Sequence, residues 1–120
     1  MTFPDEIVEM KVTVLADGLI KVALAGRLDT SGVDRIETRF GAAVVAGSNN
    51  AVIDVSRITF IASMGIRMLI TVARSMRPRK TALAVYGAQP LVAEVFESVS
   101  LNDLIPIVET EAEATAAVGR

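Results

Sequence analysis

Apolar residues along this chain follow two alternating spacings, one typical of β-strands and one typical of amphipathic α-helices. Short apolar or alternating runs predict strands at residues 7–15, 19–25, 51–55 with a continuation over 58–61, 81–87 and 104–108. Apolar residues three or four positions apart predict helices from Thr30 or Ser31 to about Ala46, and at 64–77, 90–98 and 111–118. The predicted order of elements is therefore ββαβαβαβα.

The connections between these elements predict how the strands pair. Asp17-Gly18 is a strong hairpin signal, so the first two strands should be antiparallel. Strands that alternate with helices usually form a parallel sheet. We therefore predict one α/β domain over residues 1–120. Its mixed, mainly parallel sheet of four or five strands begins with the antiparallel hairpin and carries the amphipathic helices on one face.

The second predicted helix carries one apolar stripe, formed by Ile66, Leu69, Ile70 and Ala73. We expect Ile66, Leu69 and Ile70 to be buried. A period of 3.6 residues places Met64 and Met68 beside this stripe. Met is adaptable at binding surfaces, so both are expected to be partly exposed, although ordinary core positions explain them equally well.

Composition narrows the classes of function. The chain has a net charge of −2 and contains neither His nor Cys. This excludes Ser-His-Asp and Cys-His catalysis and ordinary zinc sites, and it argues against nucleic-acid binding. No apolar run is long enough to cross a membrane, and the first residues lack the features of a signal peptide. We expect a cytoplasmic binding module that has no cofactor and no metal and is not an enzyme.

The turn over residues 60–67 joins an apolar strand to the second helix, and Ser63 stands at the predicted N-cap position. Two interpretations are open. Ser63 is either a helix cap only, or also a residue that carries a phosphate, whose charge the helix N-terminus would stabilise. A similar cap is predicted at the first helix, where Ser31 followed by Asp34 resembles a capping box.

Three stretches together resemble a known family. They are Gly26-Arg27-Leu28-Asp29 after the second strand, residues 54–61, and the turn Ala62-Ser63-Met64-Gly65-Ile66. In this order they resemble a STAS domain, the fold of bacterial anti-sigma factor antagonists and of the cytoplasmic tail of sulfate transporters. The resemblance covers nearly the whole chain.

The resemblance implies functional residues. Ser63 matches the serine that a partner phosphorylates in the family's antagonists, and this partner is both serine kinase and anti-sigma factor. Gly65 matches the glycine of that turn, and Asp29 matches a loop aspartate near the phosphoacceptor. The chain departs from the family's Asp-Ser-Ser-Gly or Asp-Ser-Thr-Gly pattern at Ala62 and Met64, which removes a carboxylate and a second hydroxyl. The implied partner-binding residues are Asp29, Thr30, Ser63, Met64, Gly65, Arg67 and Met68.

Simpler structural interpretations stand beside this one, because Gly65 can serve close packing and Asp29 can cap a helix. The leading hypothesis is a monomeric or weakly dimeric anti-sigma factor antagonist that regulates transcription and that phosphorylation of Ser63 switches off. One alternative is a STAS adaptor that is never phosphorylated, acting in a transport or signalling complex. Another is a module that binds a nucleotide or another small molecule at the helix N-terminus.

Overall fold

The computed structural model describes residues 8–119, so the predicted strand start at Ile7 lies outside the described residues. The strands are β1 (Glu9–Ala16), β2 (Leu19–Leu28), β3 (Asn50–Ile61), β4 (Leu83–Tyr86) and β5 (Ile107–Val108). The helices are α1 (Thr30–Gly41), α2 (Ser63–Met76), α3 (Pro90–Ser98) and α4 (Glu111–Val118). A π-helical turn, Ala42–Ala46, extends α1, and 3₁₀ turns lie at Arg77–Arg79 and Leu101–Asp103. The predicted order of elements is confirmed.

All five strands belong to one sheet in the order β1-β2-β3-β4-β5. The hairpin β1–β2 is antiparallel, and the other three pairings are parallel. Gly18 supplies the positive φ of +74° that the hairpin turn requires. The predicted mixed, mainly parallel sheet with an N-terminal antiparallel hairpin is therefore confirmed.

Helices cover both faces of the sheet. The amphipathic helices α1, α2 and α3 pack on one face, around sheet residues such as Val22, Ile53 and Val85. The alanine-rich α4 packs on the opposite face, where Ala114 and Val118 contact Val52, Ala84 and Tyr86. Successive strand residues point to opposite faces, which is why Val52 and Ile53 belong to different layers.

Two strands are longer than the apolar pattern predicts. The segment Gly26–Leu28, predicted as loop, continues β2, because it pairs with β3 as far as Leu28 opposite Ile61. Likewise β3 is one strand of 12 residues that passes through the polar Ser56-Arg57, where its register with β2 shifts. This extension brings the ends of β2 and β3 together at one edge of the sheet, where α1 and α2 begin.

Candidate functional site

Ser63 is the first residue of α2 and its side chain is exposed. The prediction that Ser63 is the N-cap is wrong, because Ala62 holds that position. Ala62 is extended, with φ −103° and ψ 174°, and its carbonyl oxygen accepts hydrogen bonds from Gly65 N (2.9 Å) and Ile66 N (3.2 Å). Alanine offers no side-chain oxygen, so α2 starts without a side-chain cap. The Ser63 hydroxyl is therefore not needed for capping.

Asp29 is the N-cap of α1, which corrects the predicted capping box of Ser31 and Asp34. Its Oδ1 accepts a 2.8 Å hydrogen bond from Gly32 N, and its Oδ2 lies 3.6 Å from Arg27 Nε. The Arg27 guanidinium also stacks over the Phe60 ring, 4.2 Å from the centroid. Thr30 is the first residue of α1 and is exposed. The Asp29 carboxylate thus contacts residues of the β2–α1 junction, in which it lies itself.

The β2–α1 junction and the β3–α2 junction are joined by a backbone hydrogen bond. Ala62 N donates it to the carbonyl oxygen of Leu28 at 3.1 Å. Gly65 packs over this contact and is buried. A Cβ on Gly65 would lie 3.0 Å from the Leu28 carbonyl oxygen and 2.9 Å from Ile61 Cγ1. Gly65 is therefore glycine because α2 approaches the sheet closely, which is the packing role that the sequence left open.

Met64 and Met68 of α2 were both expected to be partly exposed, and only Met64 meets that expectation. Met68 is only 1% exposed, so its predicted partial exposure is wrong, whereas Met64 is half-buried against the core. Ile70, expected to be buried, is also half-buried. The buried face of α2 is wider than one stripe and rotated toward Met68, because the helix packs on both the sheet and α1. The buried residues of α2 are Gly65, Ile66, Met68, Leu69, Val72 and Met76.

A groove of about 480 Å³ follows the exposed side of α2 from Ser63 onward. Its lining residues are Ser63, Ile66, Arg67, Ile70, Thr71 and Arg74. The four polar ones are exposed, and the two isoleucines form an apolar floor. The sequence of α2 contains no Asp or Glu, so the groove is basic. Thr71 and Arg74 line this groove but were not among the expected partner-binding residues, although their spacing from Ser63 places them on its side of the helix.

A separate polar cluster lies on the opposite face of the sheet, where α4 packs. Glu111 Oε1 accepts hydrogen bonds from Lys21 Nζ and from the Tyr86 hydroxyl, both at 2.9 Å, and Asp54 lies 4.0 Å from the same lysine. The bond from Lys21, then that from Tyr86, holds the pKa of Glu111 below its usual value. Burial first, and then the bond to Glu111, raises the pKa of Tyr86 to about 12. The hydrogen bond to Glu111 is the largest cause that raises the pKa of Lys21. This cluster fastens α4 to the sheet.

Between residues 8 and 119, no three His, Cys, Asp or Glu side chains are grouped so that they could hold a metal ion. Over the same residues, no helix is both long and apolar enough to span a bilayer.

Comparison with known proteins gives a consistent result. The STAS domain family matches residues 10–114. BtrV of Bordetella bronchiseptica, described as a candidate anti-sigma factor antagonist, is 29% identical over 109 residues, which are 90% of this chain and 94% of BtrV. The anti-sigma-B factor antagonist of Listeria monocytogenes is 23% identical over 94 residues, 78% of this chain and 82% of that protein.

Solved structures agree. An anti-sigma factor antagonist from Mycobacterium paratuberculosis superimposes with a TM-score of 0.85 at 26% identity over the full length of both chains. Phosphorylated SpoIIAA of Bacillus shares the fold, with a TM-score of 0.69 at 19% identity over 91% of this chain and 98% of its own. The match to the family over most of the chain shows that the chain belongs to the STAS domain family, and these relatives and neighbours are described as anti-sigma factor antagonists.

Proposed function

We propose that this protein binds an anti-sigma factor through the surface around Ser63, and that phosphorylation of Ser63 by that partner releases it. Binding would sequester the anti-sigma factor and so free a sigma factor for transcription. The proposal places the protein in the cytoplasm, where sigma factors act. It rests chiefly on one observation: Ser63 is the exposed first residue of α2, at the opening of a basic groove. Antagonists of this family are not enzymes, so the role is one of regulated binding.

The docking surface has a defined chemistry. Arg67 and Arg74 supply two positive charges along the groove, and Ile66 and Ile70 supply its apolar floor. A complementary partner presents acidic side chains around an apolar centre. Exposed Thr30 and half-buried Met64 extend the surface at the neighbouring junction. Met68 and Gly65 support this surface from beneath.

Phosphorylation would change this surface at its opening. The Ser63 Oγ attacks the γ-phosphorus of ATP bound to the kinase, the bond to the β,γ-bridging oxygen breaks, and ADP leaves with the electron pair. The hydroxyl proton passes to a base on the kinase. The new group carries about −1.5 to −2 charges at pH 7. It would repel an acidic partner and add a desolvation cost to docking.

The absence of a side-chain cap favours a second candidate. Ala62 leaves no carboxylate beside Ser63, and Met64 leaves no second hydroxyl next to it. A kinase that recognises the family's aspartate at that position would find none here. The alternative function is therefore a constitutive adaptor that binds its partner without phosphorylation.

A binding assay separates the two functions. The anti-sigma factor kinase of the same organism is titrated with unmodified protein, with protein phosphorylated at Ser63, and with Ser63→Ala. Ser75→Asp is the matched control, because Ser75 is exposed at the far end of α2. The switch predicts that phosphorylation weakens binding at least about tenfold, or about 1.4 kcal/mol. Ser63→Ala should bind like the unmodified protein and resist phosphorylation. Equal affinity of phosphorylated and unmodified protein would exclude the switch and leave the adaptor.

A further inference from the structure

Arg67 stands four residues after Ser63 on α2, and both side chains line the same groove. Residues four apart are neighbours on a helix surface. Long side chains on a helix tend to point back toward its N-terminus, so the Arg67 guanidinium can reach the turn that carries Ser63. An oxyanion on Ser63 therefore has a cation of its own helix within reach.

The Arg67 side chain is also available to bind a phosphate on Ser63. Among residues 8–119 it forms neither an ion pair nor a side-chain hydrogen bond, and α2 offers it no carboxylate. Arg27, the other cation near this junction, is held between the Asp29 carboxylate at 3.6 Å and the Phe60 ring at 4.2 Å. A phosphate would have to break these contacts to recruit Arg27. Recruiting Arg67 breaks no such contact.

We propose that Arg67 is the internal counter-ion of phosphorylated Ser63. The guanidinium donates charge-assisted hydrogen bonds to the phosphate oxygens, in the fork geometry that arginine offers to such groups. This inference rests on the proposed function, because it takes Ser63 as the modified residue. Its consequence is a second component of the switch: phosphorylation adds negative charge and also withdraws Arg67 from the partner.

Arg74 provides a matched control on the same helix. It lines the same groove and is exposed like Arg67. Eleven residues separate it from Ser63, about 16 Å along the axis at about 1.5 Å per residue. That distance exceeds the Debye length of about 8 Å at physiological salt, so Arg74 contributes little at Ser63.

The test uses the full chain with phosphoserine incorporated at position 63 during translation, so that no kinase is needed. The second ionisation of the phosphate is followed by ³¹P NMR as a function of pH. Arg67→Gln should raise the titration midpoint by about 0.15–0.4 pH units, the equivalent of one helical ion pair. Arg74→Gln should leave the midpoint unchanged, and Arg67→Lys should restore much of the original value. Thermal unfolding of each variant verifies that it is folded.

Three outcomes would overturn the proposal: an unchanged midpoint in Arg67→Gln, equal shifts in Arg67→Gln and Arg74→Gln, or a larger shift in Arg27→Gln. The titration involves no partner, so its failure would leave the effect of phosphorylation on anti-sigma factor binding intact. Conversely, equal partner affinity for phosphorylated and unmodified protein would refute the switch, while the NMR titration would still report the ion pair. The two hypotheses therefore fail separately.

Discussion

The carbonyl oxygen of Leu28 accepts a hydrogen bond from the backbone N–H of Ala62 at 3.1 Å. Leu28 ends β2 just before α1, and Ala62 follows β3 just before α2. Together with the β2–β3 pairing, this bond places the two helix starts side by side although they are far apart in the sequence. Asp29 and Thr30 at the start of α1 and Ser63 at the start of α2 therefore lie at the same end of the β2–β3 pair.

The missing cap of α2 can be supplied. Ala62→Asp introduces a carboxylate at the N-cap, where it can accept a hydrogen bond from a free N–H group of the first turn. We expect a gain of about 1 kcal/mol in the free energy of unfolding, measured by denaturant titration. Ala93→Asp, on an exposed position inside α3, is the control and should give no gain. A loss of stability in Ala62→Asp would show that the Ala62 geometry does not accept a side-chain cap.

Ser63 should contribute little to stability. Its position after the N-cap predicts that Ser63→Ala changes the free energy of unfolding by less than about 0.5 kcal/mol. Thr110→Ala is the contrasting variant, because the Thr110 hydroxyl accepts a bond from Glu113 N at 3.1 Å in a complete capping box. It should cost about 1 kcal/mol. A similar cost in Ser63→Ala would assign Ser63 a structural role and complicate its use in binding assays.

Two glycines in helices should respond in opposite directions to alanine. Gly65→Ala places a Cβ 3.0 Å from the Leu28 carbonyl oxygen, so we expect a loss of about 1–3 kcal/mol. Gly41→Ala at the end of α1 meets nothing within 4 Å, and its φ of −61° is helical. Alanine there should raise stability by about 0.5–1 kcal/mol. Chemical denaturation of both variants checks the pair, and a stable Gly65→Ala protein would contradict the close packing of α2.

Met68 should behave as a core residue. Its side chain is fully enclosed, so Met68→Ala is expected to cost about 2–5 kcal/mol through lost burial and a cavity. Met64→Ala should cost clearly less because Met64 is only half-buried. Comparing the two unfolding curves tests the orientation of α2. Equal, small losses of stability in the two variants would indicate that Met68 lies on the exposed side of the helix.

The cluster around Glu111 should make stability depend on pH at both extremes. The folded-state pKa of Glu111 is lowered, so its contribution is present above its unfolded value near 4.5 and is lost as pH falls through the folded value. The pKa of Tyr86 is raised from 10 to about 12, so its contribution is complete below pH 10 and is lost as pH rises toward 12. Lys21, whose pKa is also raised, acts in the same alkaline direction.

Glu111→Gln should therefore flatten the acid limb of a plot of unfolding free energy against pH, and Tyr86→Phe should flatten part of the alkaline limb. Glu97→Gln, an exposed residue of α3 outside the cluster, should leave both limbs unchanged. Identical acid limbs in wild type and Glu111→Gln would show that this cluster does not hold α4.

The sequence by itself determined the order of elements and their local signals. Asp17-Gly18 forms the expected hairpin, α3 spans the predicted residues Pro90–Ser98, and α4 spans the predicted residues Glu111–Val118. These features depend on residues within a few positions of one another. Turn geometry, capping and helical period act over such distances, so the pattern of the chain is enough to reveal them.

Only the tertiary structure decided the features of the site. β2 continues to Leu28 because β3 supplies hydrogen-bonding partners there, and Ala62 becomes the N-cap because that pairing keeps the chain extended up to α2. Met68 is buried because α2 lies against both the sheet and α1, and a single apolar stripe cannot reveal two packing partners. In each case the deciding contact comes from a residue distant in the sequence. Burial and strand pairing depend on that distant neighbour, and local periodicity carries no information about it.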